Sequence, residues 1–195
     1  MQVQRPLFLS LIVALSLVLL LYSASKVYKQ VEFPISSQQK QEVTETAQGL
    51  PIRLIIPKIN VDASIEYRGV TQEGAMEVPD NASNVGWFEH GPQPGENGNA
   101  VIAGHFDGKN GEDGVFINLN ELKKGDTIYV EDDKETSTAF VVREIQIFDP
   151  GYARSVFSAS ESAHLNLITC DGVWDGVKKS YDKRLVIFAD ILNEK

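Results

Sequence analysis

Between residues 51 and 192, short runs of apolar and β-branched residues alternate with glycine, proline, asparagine and aspartate. Runs of this length and residue type are typical of β-strands, and the intervening residues are typical of turns. Helical patterning is weak, and residues 115–122 and 155–163 are the candidates for short helices. The pattern therefore predicts a mainly β domain, built as a closed barrel or a sandwich. The predicted strands are residues 52–56, 99–104, 126–130, 137–148, 164–169 and 184–191.

An uncharged apolar segment precedes this domain. From Leu7 to Ala24 there are 18 residues without a charge. As a helix they would be about 27 Å long at ~1.5 Å per residue, close to the ~30 Å hydrocarbon thickness of a bilayer. We therefore expect residues 1–25 to form an uncleaved, single-pass membrane anchor. The run Ser23-Ala24-Ser25 also fits a signal-peptide cleavage site, so a cleaved export signal is the alternative. Both hypotheses place the rest of the chain outside the cytoplasm.

Residues 26–50 are rich in Gln, Ser, Thr and Glu and have few large apolar side chains, so we expect a flexible linker. The remaining segment, residues 51–195, has the usual size of one compact domain. The chain has a formal net charge of −9 and no basic stripe, which argues against nucleic-acid binding. Its single cysteine, Cys170, excludes an intramolecular disulfide. In an exported protein such a thiol is open to oxidation unless it is buried or functional.

Cys170 is therefore a candidate nucleophile, and two other residues are suited to assist it. A thiol of ordinary pKa, about 8.5, is only slightly ionised at neutral pH, so a nucleophilic cysteine needs a base or a cation nearby. His105 follows the second predicted strand, Cys170 follows the fifth, and Arg184 begins the sixth. Directly after Cys170, Asp171-Gly172 is expected to turn the chain. At strand ends, side chains can converge while the strands hold them in place. These three residues are the predicted catalytic group.

Three blocks of the sequence form an ordered set: Val85 to Phe88 with Pro94 to His105, Leu167 to Cys170, and Arg184 to Ala189. In order and spacing these blocks resemble the sortase family. The similarity extends over essentially all of residues 51–192, and the ordered set is far more specific than any single block. Asn166 stands where the family's TLxTC box has its first Thr. Because that position is not catalytic in the family, the difference bears on the subclass, which is most similar to class F, with classes D and E as alternatives.

The resemblance implies a closed sortase-type β-barrel of about eight strands with one or two short helices, preceded by one transmembrane helix. It also implies a cysteine transpeptidase that needs no cofactor and acts at the Gram-positive cell membrane, on the cell-wall side. Cys170 would attack the threonine carbonyl of an LPxTG-type sorting signal and form a thioacyl-enzyme. His105 would serve as acid and base, and Arg184 would donate hydrogen bonds to the substrate or the oxyanion. An amine of a cell-wall peptide or lipid-linked precursor would accept the acyl group.

Two further residues are predicted to contact the substrate: Thr169, directly before the nucleophile, and Trp174, in the loop expected between Cys170 and Arg184. Asp107 could orient an imidazole, but an aspartate before glycine is equally typical of a turn, and we do not include it among the catalytic residues. His90 and His164 are expected in solvated loops. The three histidines have no metal-ligand spacing, so no metal site is predicted.

Two other functions compete with this hypothesis. An L,D-transpeptidase or a papain-like peptidase would also use a cysteine in the cell envelope, but here His105 precedes Cys170 by 65 residues, and the flanking residues do not fit either class. The second alternative is a membrane-tethered, non-catalytic binding domain on a sortase-like scaffold. Alkylation of Cys170 in the native protein would indicate an enzyme, whereas a thiol that reacts only after unfolding would indicate such a binding domain.

Overall fold

The computed structural model describes residues 48–151 and 154–192. The anchor predicted in residues 1–25 and residues 26–47 of the predicted linker lie outside the described residues. Within the described part of the chain, no helix has the length and apolar character needed to cross a membrane.

Eight strands form a closed barrel, as the sequence predicts, in the order β1-β2-β3-β4-β7-β8-β6-β5. Three short 3₁₀ helices complete the described secondary structure, at Pro57–Ile59, Leu119–Glu121 and Arg154–Phe157. The strands are β1 (Pro51–Ile56), β2 (Val61–Arg68), β3 (Val85–Phe88), β4 (Gly98–Gly104), β5 (Thr127–Asp132), β6 (Ser137–Phe148), β7 (Ala163–Asp175) and β8 (Ser180–Ile191).

The barrel interior is filled by alternate residues of the strands. On β7, Leu165 and Leu167 point inward and are fully buried, so His164, Asn166, Ile168 and Cys170 share the outer face. A second apolar cluster lies outside the barrel, against β4, β7 and β8, and we call it the outer cluster. Because the outer cluster covers β4, every residue of that strand is buried, although one face points away from the core. Its buried members are Val101, Val156, Val186 and Phe188.

Two of the strand pairings are parallel, and in each of them a long connection separates the two paired strands. Strand β2 pairs with β3, and β4 pairs with β7, whereas the other neighbours in the barrel are antiparallel. Parallel neighbours need a long crossover connection. The connection between β4 and β7 contains the second 3₁₀ helix, β5, β6 and the third 3₁₀ helix. These pairings bring the ends of β4, β7 and β8 together at one rim of the barrel.

Two local predictions were wrong. The helix expected at residues 115–122 is a single 3₁₀ turn at Leu119–Glu121. The turn expected at Asp171-Gly172 is a bulge, because β7 continues to Asp175 and the register with β8 shifts between Asp171 and Trp174. Gly172 has a φ of 84° and supplies the left-handed conformation that such a bulge requires. The chain reverses only after Asp175, so Trp174 lies in a strand rather than in a loop.

Candidate active site

Strand register brings the three predicted catalytic residues to the same level of the barrel. Cys170 on β7 is the direct partner of Arg184 on β8. On the other side of β7, Ala103 of β4 pairs with Ile168. Because the two strands are parallel, His105 and Cys170, each two residues further along, lie at the same level. Residues from three neighbouring strands, far apart in sequence, therefore meet at one rim.

The backbone around His105 is held by close packing. Its carbonyl accepts a 2.9 Å hydrogen bond from the amide of Phe116. Gly114 lies so near that a Cβ at this position would be 2.3 Å from the His105 carbonyl oxygen. The Thr169 hydroxyl, which is buried, donates a 2.9 Å hydrogen bond to the Gly104 carbonyl and so ties β7 to the residue before His105. Thr169 thus fixes strands next to the site through its side chain, and its predicted contact with substrate stays a prediction.

The imidazole of His105 has a specific partner that the sequence did not suggest. Its Nε2 lies 2.8 Å from the carbonyl oxygen of Pro79, in the connection between β2 and β3. A carbonyl oxygen only accepts, so Nε2 carries the proton in this contact and Nδ1 is left as the free ring nitrogen of the neutral form. Pro79 therefore orients the ring and selects its tautomer.

Glu66 on β2 holds the connection that carries Pro79. One carboxylate oxygen accepts a 3.0 Å hydrogen bond from the amide of Asp80, the residue directly after Pro79, and the other accepts from the Asn84 side chain at 2.8 Å. Arg68 pairs with both Glu66 and Asp80. Through these contacts the β2 side chains act on the position of the His105 ring.

Cys170 is half-buried, and its surroundings oppose ionisation. Burial raises the pKa of the thiol, because a thiolate is poorly solvated there, and the charge of Asp107 raises it further. The positive charge of Arg184 acts in the opposite direction and lowers the pKa. Since burial is the largest effect, the resting thiol is protonated at neutral pH, and a nucleophilic step needs a base to take that proton.

The guanidinium group of Arg184 is held by the backbone of its own hairpin. Nη1 donates to the carbonyls of Tyr181 at 3.0 Å and Lys183 at 2.7 Å, and Nη2 donates to the Ser180 hydroxyl at 3.3 Å. The simple ion pair with Asp190 that a strand-end arginine could form is not made, because Asp190 pairs with Arg143 at the other end of the sheet. Among the described residues no carboxylate accepts a hydrogen bond from Arg184, so the guanidinium keeps its positive charge beside Cys170.

Two cavities meet at Cys170 and Arg184. One has a volume of about 740 Å³, and we call it the apolar cavity. The other has a volume of about 630 Å³, and we call it the polar cavity. His105 lines the polar cavity, whereas Cys170 and Arg184 line both. The side chains that make the first cavity apolar are Val70, Met76, Val78, Phe88, Phe157 and Ile168.

The polar cavity contains a group of aromatic residues around one carboxylate. Tyr181 packs edge-on against Phe106, with ring centroids 5.6 Å apart, and against Trp174 at 5.3 Å. The Tyr181 hydroxyl donates a 2.6 Å hydrogen bond to Asp107. Trp174 is 53% exposed and lines this cavity, on the side away from the apolar one. Sequence reasoning did not single out Tyr181, and it left Asp107 as an ordinary turn residue.

Neither of the other two histidines lines the polar cavity. His164 is on β7 itself rather than in a loop, and its Nδ1 lies 2.8 Å from the Asp190 carboxylate. His90 is exposed and packs edge-on against Phe88. Within residues 48–151 and 154–192, no group of three or more histidine, cysteine, aspartate or glutamate side chains is arranged to hold a metal ion.

A closed eight-stranded barrel with cysteine, histidine and arginine side chains at one rim is the architecture of a class of cysteine transpeptidases. The family model described as "Sortase domain" matches residues 54–192, and the chain belongs to the sortase family. A comparison with curated proteins finds no match.

Solved structures support the same assignment. Sortase C-1 from Actinomyces oris is 25% identical, with a TM-score of 0.59 over 73% of this chain and 72% of that chain. The pilus-related sortase C of Group B Streptococcus is 25% identical, with a TM-score of 0.57 over 77% and 71%. The sortase D5 transpeptidase of Clostridium perfringens is also 25% identical, with a TM-score of 0.56 over 75% and 80%. These are type C and D enzymes, and the class F assignment stays a prediction.

Proposed function

We propose that this sortase is an extracytoplasmic cysteine transpeptidase that cleaves an LPxTG-type sorting signal through a thioacyl-enzyme at Cys170 and transfers the acyl group to a cell-wall amine. One observation carries the proposal: a thiol lies at the junction of two cavities, with a permanent cation as its strand partner and a histidine level with it on the other side. A junction of this kind would let two substrates reach the same thiol from different sides.

In the first step, the Cys170 sulfur attacks the threonine carbonyl carbon of the signal. Because the resting thiol is protonated, its proton passes to Nδ1 of His105 as the carbon–sulfur bond forms. The carbonyl oxygen becomes an oxyanion, and Arg184 donates hydrogen bonds to it, since its guanidinium stays protonated. The imidazolium then protonates the departing nitrogen, the carbon–nitrogen bond breaks, and the thioester remains.

In the second step, an amine replaces the leaving group on the same side of the thioester. His105, now neutral, accepts a proton from the incoming amine, which attacks the acyl carbon and expels Cys170. The same imidazole serves both steps because the second reverses the proton movements of the first. Water would follow the same course and give hydrolysis as a side reaction.

The apolar cavity is suited to the leucine and proline of the sorting signal. Its walls come from the β2–β3 connection, β7 and the third 3₁₀ helix, and Ile168 and Phe157 belong to these. Burial of the two apolar side chains there would contribute about 1.5–3 kcal/mol for each fully buried residue. The threonine carbonyl would then lie at Cys170, where the cavity ends.

The proposed location of the enzyme rests on the membrane anchor that the sequence predicts. We place the barrel on the cell-wall side, tethered through residues 1–25, where surface proteins, cell-wall peptides and lipid-linked precursors are available. A membrane-impermeant thiol reagent added to intact cells would label Cys170 if this location is right. Labelling that requires cell lysis would contradict it.

The test is cleavage of a quenched LPxTG-type peptide by the full-length protein, with and without an amine acceptor. Cys170→Ala, His105→Ala and Arg184→Ala should each reduce turnover, with Cys170→Ala abolishing it and the acceptor-linked product. The matched control is His164→Ala, which removes a half-buried histidine of the same sheet and should retain turnover.

Two outcomes would reject the enzyme hypothesis. One is a lack of turnover over a panel of related signals, together with a Cys170 thiol that resists alkylation until the protein is unfolded. The other is turnover that persists in Cys170→Ala. The first outcome would favour the non-catalytic binding domain.

A further inference from the structure

The charges that line the polar cavity fall into two groups. Asp107 and Arg184 are half-buried and lie beside Cys170, whereas the other charged side chains are exposed to solvent. Solvent screens the exposed charges strongly, so the half-buried pair dominates the local field. The exposed charges are those of Asp80, Lys109, Glu112 and Lys179.

Asp107 is fixed in the cavity from two directions. Its backbone pairs with that of Asp113 across a short hairpin that follows His105, closed by a 2.8 Å hydrogen bond from the Gly108 amide to Glu112. Its carboxylate accepts the 2.6 Å hydrogen bond from Tyr181. This bond, as the largest cause, raises the pKa of Tyr181 to about 12, so the phenol stays a donor. The carboxylate is therefore oriented and does not depend on substrate for its position.

Asp107 makes the first chemical step harder. Its negative charge raises the pKa of Cys170 and opposes Arg184. It does not offset this by orienting the imidazole through Nε2, because that nitrogen faces the Pro79 carbonyl. A fixed carboxylate in this place favours a cation, and the proposed second step brings one from solution: an alkylamine with an ordinary pKa of about 10 arrives as an ammonium ion.

We propose that Asp107, with the aromatic faces of Trp174 and Tyr181, binds the ammonium form of the acceptor in the polar cavity and makes the enzyme select cationic amines over neutral nucleophiles. This inference rests on the proposed transpeptidase function. The carboxylate supplies the charge, and the neighbouring aromatic rings favour a cation at their faces. His105 lines the same cavity and can receive the proton that the ammonium must lose.

The proposed step balances as follows. The bound ammonium first gives one proton to neutral His105, which releases it to solvent. The resulting amine attacks the acyl carbon of the thioester, and neutral His105 accepts a second nitrogen proton as the carbon–nitrogen bond forms. The carbon–sulfur bond breaks and His105 passes that proton to the Cys170 sulfur, which leaves free enzyme, an amide and one proton in solvent. Asp107 is unchanged throughout and acts by binding, not by proton transfer.

The test compares cationic and neutral acceptors on the full-length protein. Triglycine amide and Nα-acetyl-lysine amide serve as cationic acceptors, and hydroxylamine, uncharged at neutral pH, serves as the neutral one. Asp107→Asn should raise KM for the cationic acceptors by roughly three- to tenfold relative to KM for hydroxylamine, the size expected for one partly exposed charge contact. The ratio cancels any change in thiol reactivity, because both acceptors meet the same thioester.

Two variants complete the design. Asp113→Asn removes the same charge from the same hairpin at an exposed position outside the cavity, and the KM ratio should stay at the wild-type value. Tyr181→Phe keeps the Asp107 carboxylate but removes the hydroxyl that orients it. It should raise the ratio of KM for the cationic acceptors to KM for hydroxylamine by less than Asp107→Asn does. Tyr181→Phe also tests the idea if Asp107→Asn fails to fold.

The outcomes separate the two proposals. An unchanged KM ratio in folded Asp107→Asn, or an equal fall in kcat for both kinds of acceptor, overturns the role of Asp107 while peptide cleavage upholds the transpeptidase. A lack of thioester at Cys170 in the wild-type protein, shown by intact mass after reaction with the signal peptide, overturns the proposed function itself.

Discussion

The two ends of the β7–β8 pair carry similar residues in different states. At one end His105 and Arg184 flank Cys170; at the other, His164 and Arg143 both contact Asp190, at 2.8 and 2.9 Å. The histidine and cysteine of β7 lie on the same outer face, about 20 Å apart at ~3.3 Å per residue. We call the first the open end and the second the paired end.

The difference lies in what the basic side chains contact. At the paired end one carboxylate contacts both His164 and Arg143, and Arg143 also lies over the Phe188 ring, 5.9 Å from its centroid. At the open end the partners of His105 and Arg184 are mainly backbone carbonyls, which orient these side chains without cancelling the charge of Arg184. Residue type alone therefore does not identify a site, because the same types surround a carboxylate at one end and form a candidate active site at the other.

The largest expected contrast concerns the two arginines. Arg184→Lys should lower kcat by roughly 10²–10³-fold, the cost of losing oriented donors to an oxyanion, because a lysine cannot reproduce the planar guanidinium. Arg143→Lys should leave kcat within about twofold, since an exposed ion pair contributes about 1 kcal/mol or less to stability and none to chemistry. Steady-state cleavage kinetics of both variants would check this. Equal losses of kcat in the two variants would show that the open end and the paired end do not differ in their contribution to catalysis.

A second contrast uses two glycines. A Cβ at Gly114 would lie 2.3 Å from the His105 carbonyl oxygen, whereas a Cβ at Gly176 would have no atom within 4 Å. Gly114→Ala should therefore displace His105 and lower kcat by about ten- to a hundredfold, as small displacements of catalytic groups do. Gly176→Ala should have kcat near wild type. Wild-type kcat in a folded Gly114→Ala protein would show that the position of His105 is unimportant.

The third prediction concerns stability near the paired end. Asn166 is fully buried, and its Nδ2 donates to the Val156 carbonyl at 2.8 Å and to Asn99 at 3.2 Å. Asn166→Ala should lower the free energy of unfolding by about 1–3 kcal/mol, because buried acceptors lose their donor. Denaturant unfolding would measure it, with exposed Asn110→Ala as the control. An unchanged midpoint would mean that these bonds do not hold the third 3₁₀ helix on the barrel.

The smallest expected effect is on the pH at which the Cys170 thiol, at the open end, ionises. Because burial raises the pKa of Cys170, its thiolate should appear at higher pH in the folded protein than in the unfolded chain. Alkylation at neutral pH should accordingly be slower in the native protein than in denaturant, and should increase with pH. Arg184→Ala should shift the profile to still higher pH. A native profile below that of the unfolded chain would show that the cation outweighs burial.

The sequence predicted those features that depend on local pattern. Apolar runs gave the long strands, and the ordered blocks pointed to the barrel. Strand β2 was missed because its exposed face is polar, and β3 was missed because it has only four residues. Their parallel pairing depends on a connection of sixteen residues, 69–84, which no short motif marks.

The same limit applies to the site. His105, Cys170 and Arg184 could be proposed because each borders an apolar run within a motif, although β7 and β8 extend beyond Cys170 and Arg184. Pro79 could not, because its contribution is a backbone carbonyl, which every residue has. Glu66 acts through the amide of Asp80 and is likewise invisible without the fold. Tyr181 and Asp107 meet across 74 residues, and only the assembled barrel brings them together.

The β4–β7 pairing also sets the order of events as the chain folds. Contacts between residues so far apart in sequence form late, because the long connection must first be closed, and β8 is the last strand to be made. Until then Cys170 is an unprotected thiol of ordinary acidity, more ionised than in the finished barrel. On the proposed extracytoplasmic location, we expect its time of greatest sensitivity to oxidants to be the interval between export and barrel closure. The folded protein would then owe its durability in that environment to the same burial that slows the proposed nucleophile.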